Sequence, residues 1–167
     1  MRQTRFDDFH CSLARALEAA GDWWAPLILR DLFAGVNHFD ELVEDLGISR
    51  NLLTTRLTAL MERGLVIAQP YGAHPGRFEY TLTESGSELV VVLMALTAWG
   101  DRWDTPPGGP PITFSHHDHK CVPQVVCHQC GERLELADVK GHRGPGGRIA
   151  AGTRLIGTKL HPAFTAD

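Results

Sequence analysis

The feature that most restricts the fold is the stretch of residues 48–66, ISRNLLTTRLTALMERGLV. Its apolar residues recur at steps of three and four, the spacing of one buried helical face. Ser49 can cap the first turn with its hydroxyl oxygen. Gly64 follows the last periodic residue, where helix ends favour a residue that tolerates positive φ. The stretch predicts an amphipathic helix whose core positions are Leu53, Leu57, Leu60 and Met61.

The opposite face of this helix carries short hydrogen-bonding side chains and one cation, where an ordinary solvated helix has long Glu and Lys side chains. Arg, Asn and Thr side chains can read base edges in the major groove of DNA. We therefore interpret the helix as a DNA recognition helix. An amphipathic core helix with a polar outer face is the alternative. The candidate DNA-binding residues are Ser49, Arg50, Asn51, Thr54, Thr55 and Thr58.

Periodicity predicts three helices before the recognition helix, over residues 9–20, 23–33 and 38–46. Gly47 and the two residues after it form a tight turn between two short helices, as a helix-turn-helix requires. The predicted core positions of the first two helices are Leu13, Ala16, Leu17, Ala20, Trp24, Leu27, Ile28 and Leu32.

The spacing of the apolar residues changes after the recognition helix. Residues 65–67 favour a strand, residues 70–76 are rich in turn formers, and residues 77–82 alternate between apolar and polar. This pattern predicts a β-hairpin. A hairpin directly after a recognition helix is a wing, and His74 and Arg77 are its candidate DNA contacts. A long apolar helix over residues 89–103 follows, so the fold class is mainly α with a small β-wing, a winged helix-turn-helix.

Five motifs in this order resemble the HxlR-type winged-helix transcriptional regulators. They are CSLARALEAAGDWW, PLILRDLFAG, HFDELVEDLGISRNLLTTRLTALMERGLV, FEYTLTESG and WGDRW. The resemblance implies a DNA-binding homodimer, a repressor or activator, assembled through its terminal helices and bound to a pseudo-palindromic operator. One departure is His38-Phe39, where the family often has Arg-Phe. A neutral imidazole offers no charge to a phosphate, so a contact at this position is in doubt or depends on pH.

The apolar surface of the helix over residues 89–103 also favours a dimer. Its side chains exceed what one face needs against a small domain, so a second subunit is expected to bury the surplus. The predicted interface residues lie at helical spacing with more apolar residues on adjoining faces: Val92, Leu93, Leu96 and Trp99, with Val90, Val91 and Met94.

Cys11 matches a cysteine near the N-terminus that is common in the family, and some relatives use it as a redox or electrophile sensor. Such a role requires the thiolate form and solvent access. A small apolar thiol packed at the start of a helix is the alternative. Cys11 is therefore a redox candidate.

A Pro/Gly-rich linker is predicted over residues 105–115, and a Cys/His-containing extension over residues 116–140. Cys127-x-x-Cys130-Gly has the form of half a zinc knuckle, and Cys121 with His117 or His119 could complete a structural Cys₃His site. A metal-free β-rich flap and a reversible Cys127–Cys130 disulfide are the alternatives. The short interval between Cys121 and Cys127 counts against a full zinc ribbon. Residues 141–167 are predicted to be a flexible basic tail.

Composition indicates a soluble, ordinary globular protein, with 43% apolar and 22% charged residues and a net charge of −4. The longest apolar run is too short to span a membrane, and no signal peptide is apparent, so a cytoplasmic location is expected. The sequence contains no phosphate loop and no supported catalytic set, so no enzyme is predicted. The alternative function is a winged-helix protein-interaction module with a structural zinc site and no operator binding. The sequence identifies neither the operator nor a small-molecule effector.

Overall fold

The computed structural model describes residue 6, residues 8–72 and residues 76–159. Two compact units are present. One extends from Gly21 to Val125, and the other combines the segment up to Ala20 with the segment from Val126 onward. The predicted domain boundaries differ from this division and stay a prediction. Among the described residues, no helix is both long and apolar enough to cross a membrane.

The described part of the chain contains six helices and four strands. They are α1 (Ser12–Ala20), α2 (Trp24–Ala34), α3 (Phe39–Leu46), α4 (Arg50–Glu62), β1 (Val66–Pro70), β2 (Phe78–Leu82), α5 (Glu84–Trp103), β3 (Phe114–His116), β4 (His119–Cys121) and α6 (Ile156–Lys159). The order from α2 to α5 confirms the predicted winged helix-turn-helix.

The core of the first unit lies where α2, α3 and α4 meet under the β-hairpin. Ile28 and Leu29 of α2, Leu42 of α3 and Leu53 of α4 are completely buried. Leu57 and Leu60 continue the buried face of α4, and Met61 packs partly buried at its edge. The periodicity of α4 therefore predicted its buried side correctly, and the opposite side of this helix is left to solvent.

Two turns fix the ends of α3 and α4. Gly47 ends α3 with φ 62°, and its N–H donates to Val43 O at 3.1 Å. Ser49 Oγ accepts from Leu52 N–H at 3.3 Å, as predicted for a helix cap. Gly64 follows the end of α4 with φ 69°, a conformation that favours glycine. The turn between α3 and α4 is thus short and rigid.

The wing is an antiparallel pair in which Val66 lies opposite Leu82 and Pro70 opposite Phe78. Its tip, residues 73–75, lies outside the described residues, and the predicted contact His74 lies there with it. Tyr71 N–H donates to Arg77 O at 3.1 Å below the tip. The segment before α3 joins the wing, because Tyr80 N–H donates to Asn37 O at 2.9 Å. These bonds set the wing against the start of α3.

Helix α5 begins at Glu84, five residues earlier than the sequence pattern predicts. Thr83 is the reason, because its Oγ1 accepts from Gly86 N–H at 3.1 Å and donates to Gly64 O at 2.6 Å. One hydroxyl therefore caps α5 and ties it to the turn after α4. Apolar periodicity does not detect this first turn, since its residues are Glu, Ser and Gly.

The second unit contains α1, a small Val126–Arg133 β-bridge and turns up to α6. None of the residues of α1 is buried, and the predicted inward residues Leu13 and Leu17 are exposed. That prediction is therefore wrong for the single chain. The helix is amphipathic, but amphipathicity does not state what covers the apolar side. His10 N–H donates to Ala151 O at 2.9 Å, so the described end of the chain contacts the start of α1.

Candidate nucleic-acid interface

The outer face of α4 is free of contact with the core. Arg50, Asn51, Thr54, Thr55 and Thr58 are all exposed, as the sequence predicts. Thr54 Oγ1 donates to Arg50 O and Thr55 Oγ1 donates to Asn51 O, each at 2.9 Å. Each hydroxyl proton is thereby used within the helix. The outward features of these threonines are consequently a hydrogen-bond acceptor and a methyl group, which suit base donors and the methyl group of thymine.

Arg50 is held by two residues of α3. Its guanidinium forms an ion pair with Asp40 and lies 4.7 Å from the ring centroid of Phe39. Both members of the ion pair are well exposed to solvent, so the pair contributes little to stability. A phosphate or a guanine edge can therefore compete for Arg50 at low cost. The sequence could not identify this pair, because it depends on how α3 crosses α4.

A concave surface of about 620 Å³ connects the start of α4 with the wing. It brings together Arg50 and Arg77, which the sequence predicts as DNA contacts on separate elements. Arg77 is exposed. The remaining lining residues were not predicted as site residues: His38, Phe39, Asp40, Glu41, Tyr71, Gly76, Phe78 and Tyr80.

His38 occupies the position where the family often has Arg. Its Nδ1 lies 3.1 Å from Glu41 Oε2, and its ring centroid lies 4.4 Å from that of Tyr71. The backbone of His38 also forms a β-bridge with Glu79 of the wing. The imidazole is thus engaged by a carboxylate and an aromatic ring, which reduces its freedom to contact a phosphate.

Burial raises the pKa of Tyr80, the buried tyrosine of β2. Its phenol therefore stays neutral over the range in which DNA binding is measured, and the tyrosine acts as a core residue beneath the wing. The charge of this surface comes from Arg50, Arg77 and the carboxylates of α3.

The proposed zinc ligands lie in two different units. His117 is in the turn between β3 and β4, at φ 50°, and His119 and Cys121 are in β4. Cys127 and Cys130 are in the second unit. Within the described ranges, no group of three or more His, Cys, Asp or Glu side chains is arranged to hold a metal ion.

Cys127 and Cys130 nevertheless form a local knuckle. Gly131 N–H donates to Cys127 O at 2.8 Å with Gly131 at φ 72°, and Cys127 N–H donates to Glu132 O at 2.8 Å. The backbone N–H groups of Cys130 and Gln129 donate to the sulfur of Cys127 and lower the pKa of this thiol. This half of the predicted site has the local geometry that favours a thiolate.

Cys11 is a free, half-buried thiol directly before α1. Its carbonyl accepts from Arg15 N–H at 3.0 Å. The other three cysteines are also free thiols. The thiol is partly accessible, which the redox interpretation requires.

Comparison with known proteins decides the family. Residues 19–107 match the family model described as HxlR-like helix-turn-helix. The chain belongs to this HxlR-like family. It is 42% identical over 137 residues to the HTH-type transcriptional regulator MT3179 of Mycobacterium tuberculosis, covering 81% of this chain and 87% of the relative. It is 34% identical over 92 residues to the HTH-type transcriptional regulator YodB of Bacillus subtilis, covering 54% and 82%.

Two solved structures extend the comparison to the fold. The crystal structure of PA1607, described as a transcription factor, has a TM-score of 0.74 at 31% identity, covering 84% of this chain and 100% of that chain. The redox regulator HypR in its reduced form has a TM-score of 0.52 at 26% identity, covering 55% and 92%.

These relatives establish that this HxlR-like chain is a DNA-binding transcriptional regulator. The family is one of transcriptional regulators. The alternative of a protein-interaction module with a zinc site and no operator binding has no support among them.

Proposed function

We propose that this HxlR-like protein is a cytoplasmic homodimer that reads a pseudo-palindromic operator with α4 in the major groove and the wing on the adjacent backbone. The observation that carries the proposal is the exposed face of α4. Its Asn and Thr side chains point away from the core beside a wing that carries Arg77. Asn can bond adenine through both of its amide atoms, and Arg can bond guanine.

The distribution of charge along the chain also supports the placement of α4 and the wing on DNA. The chain as a whole is acidic, yet basic residues outnumber acidic ones between residues 48 and 82. DNA affinity depends on local positive charge more than on the net charge of the chain. Arg50 at the start of α4 and Arg77 of the wing both line the concave surface between these elements. Their places on two elements fit one base-reading contact and one backbone contact.

Substitutions on the two elements test this assignment on an operator selected from random duplexes. Asn51→Ala combined with Thr54→Ala should relax base preference in each half-site, at a cost of about 1–3 kcal/mol for a lost base contact. Arg77→Ala should weaken the binding of all DNA sequences by a similar factor and make the affinity less dependent on salt concentration. Arg133→Ala, on an exposed arginine of the second unit, is the control. Equal affinity of the double variant and the wild type for the operator would remove α4 from the reading role.

Dimerisation is supported by an exposed apolar stripe on α5. Val92 is 62% exposed, Leu96 60%, Trp99 60% and Trp103 65%. Their spacing places them on one side of the helix. Val90, by contrast, is buried, and Leu93 and Met94 are half-buried in the core. The dimer face we propose therefore leaves out Val90, Leu93 and Met94 of the set predicted from sequence and adds Trp103.

A structural zinc site of Cys121, Cys127, Cys130 and His117 or His119 stays a prediction. The knuckle at Cys127 and Cys130 supports it. Elemental analysis of protein purified without an affinity tag tests it. Close to one zinc per chain, lost in Cys127→Ser, is the expected result, and protein with well below one zinc per chain would contradict it.

Redox control through Cys11 is a second candidate property. It is supported by the likeness to the redox regulator HypR and by the partial exposure of the Cys11 thiol. Treatment with diamide should change operator affinity in the wild type and not in Cys11→Ser. A response that Cys11→Ser retains would assign the effect to other cysteines.

A further inference from the structure

The second unit contains a cavity of about 700 Å³ between the start of α1 and the segment over residues 143–156. This volume is in the range of small-molecule sites, about 300–1,000 Å³. The residues that decide its chemistry are His10, Cys11, Arg15, Arg143, Arg148 and Ile149. It lies on different residues from the DNA-reading face of α4, so operator reading does not account for it.

Hydrogen bonds on both walls shape this cavity. His10 donates its backbone N–H to Ala151 O at 2.9 Å, and His10 Nε2 lies 2.5 Å from Gly146 O. A carbonyl only accepts, so the Nε2 nitrogen carries the proton. Gly152, at φ 84°, comes so close that an added Cβ would lie 2.7 Å from the ring of Phe9. The segment before α1 and the segment over residues 146–152 therefore pack closely against each other.

The charged residues that line the cavity are all arginines. Arg143 donates Nε and Nη2 to Gly147 O at 3.0 and 2.8 Å, which fixes this guanidinium in the wall. The side chains of Arg15 and Arg148 form no hydrogen bond or ion pair with the described part of the chain. Of the described residues that line the cavity, none is Asp or Glu. Three arginines thus line one cavity in a protein whose net charge is −4.

Apolar groups complete the lining, among them Pro145, Ile149 and Ile156. Guanidinium groups bind carboxylates in a two-point geometry, and apolar walls favour a ligand with a hydrophobic body. We propose that this cavity is a binding site for a small organic carboxylate with an apolar ring or chain, held by Arg15 and Arg148 and positioned over Cys11.

The rate at which Cys11 is alkylated can report the properties of this site even though the natural ligand is not known. Iodoacetate and iodoacetamide alkylate the same thiolate and differ in charge, so their rate ratio reports the local potential. The ratio at Cys11 should exceed the ratio at exposed Cys130, which lies beside Glu132, several-fold. Peptide mass spectrometry of the full-length protein, treated with EDTA so that no zinc holds Cys130, measures both sites in one sample. Arg15→Gln combined with Arg148→Gln should lower the ratio at Cys11 toward that at Cys130.

Protection by benzoate tests ligand binding itself. Benzoate should slow the alkylation of Cys11 by iodoacetamide saturably, with no effect at Cys130. Neutral benzamide and inorganic phosphate should protect less, since one lacks the charge and the other the apolar body. Arg133→Gln, a matched exposed arginine outside the cavity, should retain the protection, and circular dichroism checks that each variant is folded.

Equal rate ratios at Cys11 and Cys130, or equal protection by benzoate and benzamide, would overturn the proposal. Protection by phosphate alone would likewise overturn it, because the apolar body would then be irrelevant. These readouts use no DNA, so their failure is distinguishable from a failure of operator binding.

Discussion

Asp31 is the buried charged side chain of the first unit, with 3% of its surface exposed. It lies in α2 among the leucines of the core, and its Oδ1 accepts from Arg30 Nε at 2.8 Å and Nη2 at 2.6 Å. Burial raises the pKa of this carboxyl above its ordinary 3.8, and the bonds from Arg30 only partly oppose this. The negative charge of Asp45 nearby acts in the same direction as burial.

The raised pKa makes the stability of the fold depend on pH. The folded state holds the Asp31 proton more tightly than the unfolded state, so the stability that Asp31 contributes is fully present below pH 3.8 and is lost as the pH rises through the higher folded-state pKa. Asp31→Asn should remove this fall and be at least as stable as the wild type at neutral pH. Urea unfolding across the acidic range measures it. Asp45→Asn should show a smaller fall than the wild type, and parallel curves for all three proteins would contradict the assignment.

Gly86 is the residue at which α5 touches the chain before the wing. A Cβ added there would lie 2.1 Å from Leu65 O, whereas one added at Gly100 of the same helix meets nothing within 4 Å. Gly86→Ala should therefore destabilise the protein by about 1–3 kcal/mol through overpacking. Gly100→Ala is the control and should be neutral or stabilise by roughly 0.5–1 kcal/mol. Thermal unfolding distinguishes the two, and similar effects would mean that α5 can shift away from Leu65.

At the scale of elements, the sequence predicted helix α4, its buried face and its exposed face. The prediction was possible because a helix that packs on one side has apolar residues that recur about every 3.6 positions. The same periodicity wrongly predicted that Leu13 and Leu17 of α1 are buried. Helical spacing shows that a helix has an apolar face, but it does not show which part of the protein packs against that face. The contacts of Arg50 with Asp40 and of His38 with Tyr71 could not be predicted, because they join side chains on different elements. The exposed face of α4 was thus predictable from one helix, and the contacts of its residues with other elements were not.

The α3–α4 pair yields a prediction about nonspecific DNA binding. Asp40 places a negative charge beside the proposed interface and holds Arg50. Asp40→Asn should release Arg50 and tighten binding to random duplex DNA by about 0.2–1 kcal/mol at low salt, with the gain disappearing at high salt. Fluorescence anisotropy measures this. Asp45→Asn is the matched control, because Asp45 pairs with Arg30 of α2. A gain of the same size in the control would mean that net charge alone is responsible.

At the scale of the whole molecule, the exposed stripe of Val92, Leu96, Trp99 and Trp103 is the feature that a single chain leaves unexplained. Two large indole rings on one helix face are unusual for a surface in contact only with water. A two-fold axis through this stripe would pair α5 with its copy and place two α4 helices about one DNA turn, or a multiple of it, apart. Specific DNA affinity should then depend on residues that are remote from DNA.

Val92→Glu combined with Trp99→Glu tests this dependence. Both side chains are exposed in the single chain, so the variant should fold, with an unchanged circular dichroism spectrum. Charge buried at the dimer interface is costly, so the variant should sediment as a monomer while the wild type sediments as a dimer. Ser87→Glu adds one charge elsewhere on α5, at an exposed position, and should remain dimeric. Affinity for a two-half-site operator should fall strongly in the double variant, whereas affinity for a single half-site should change little. A wild-type monomer at micromolar concentration that binds the operator fully would remove the dimer, and with it the reason for a palindromic site.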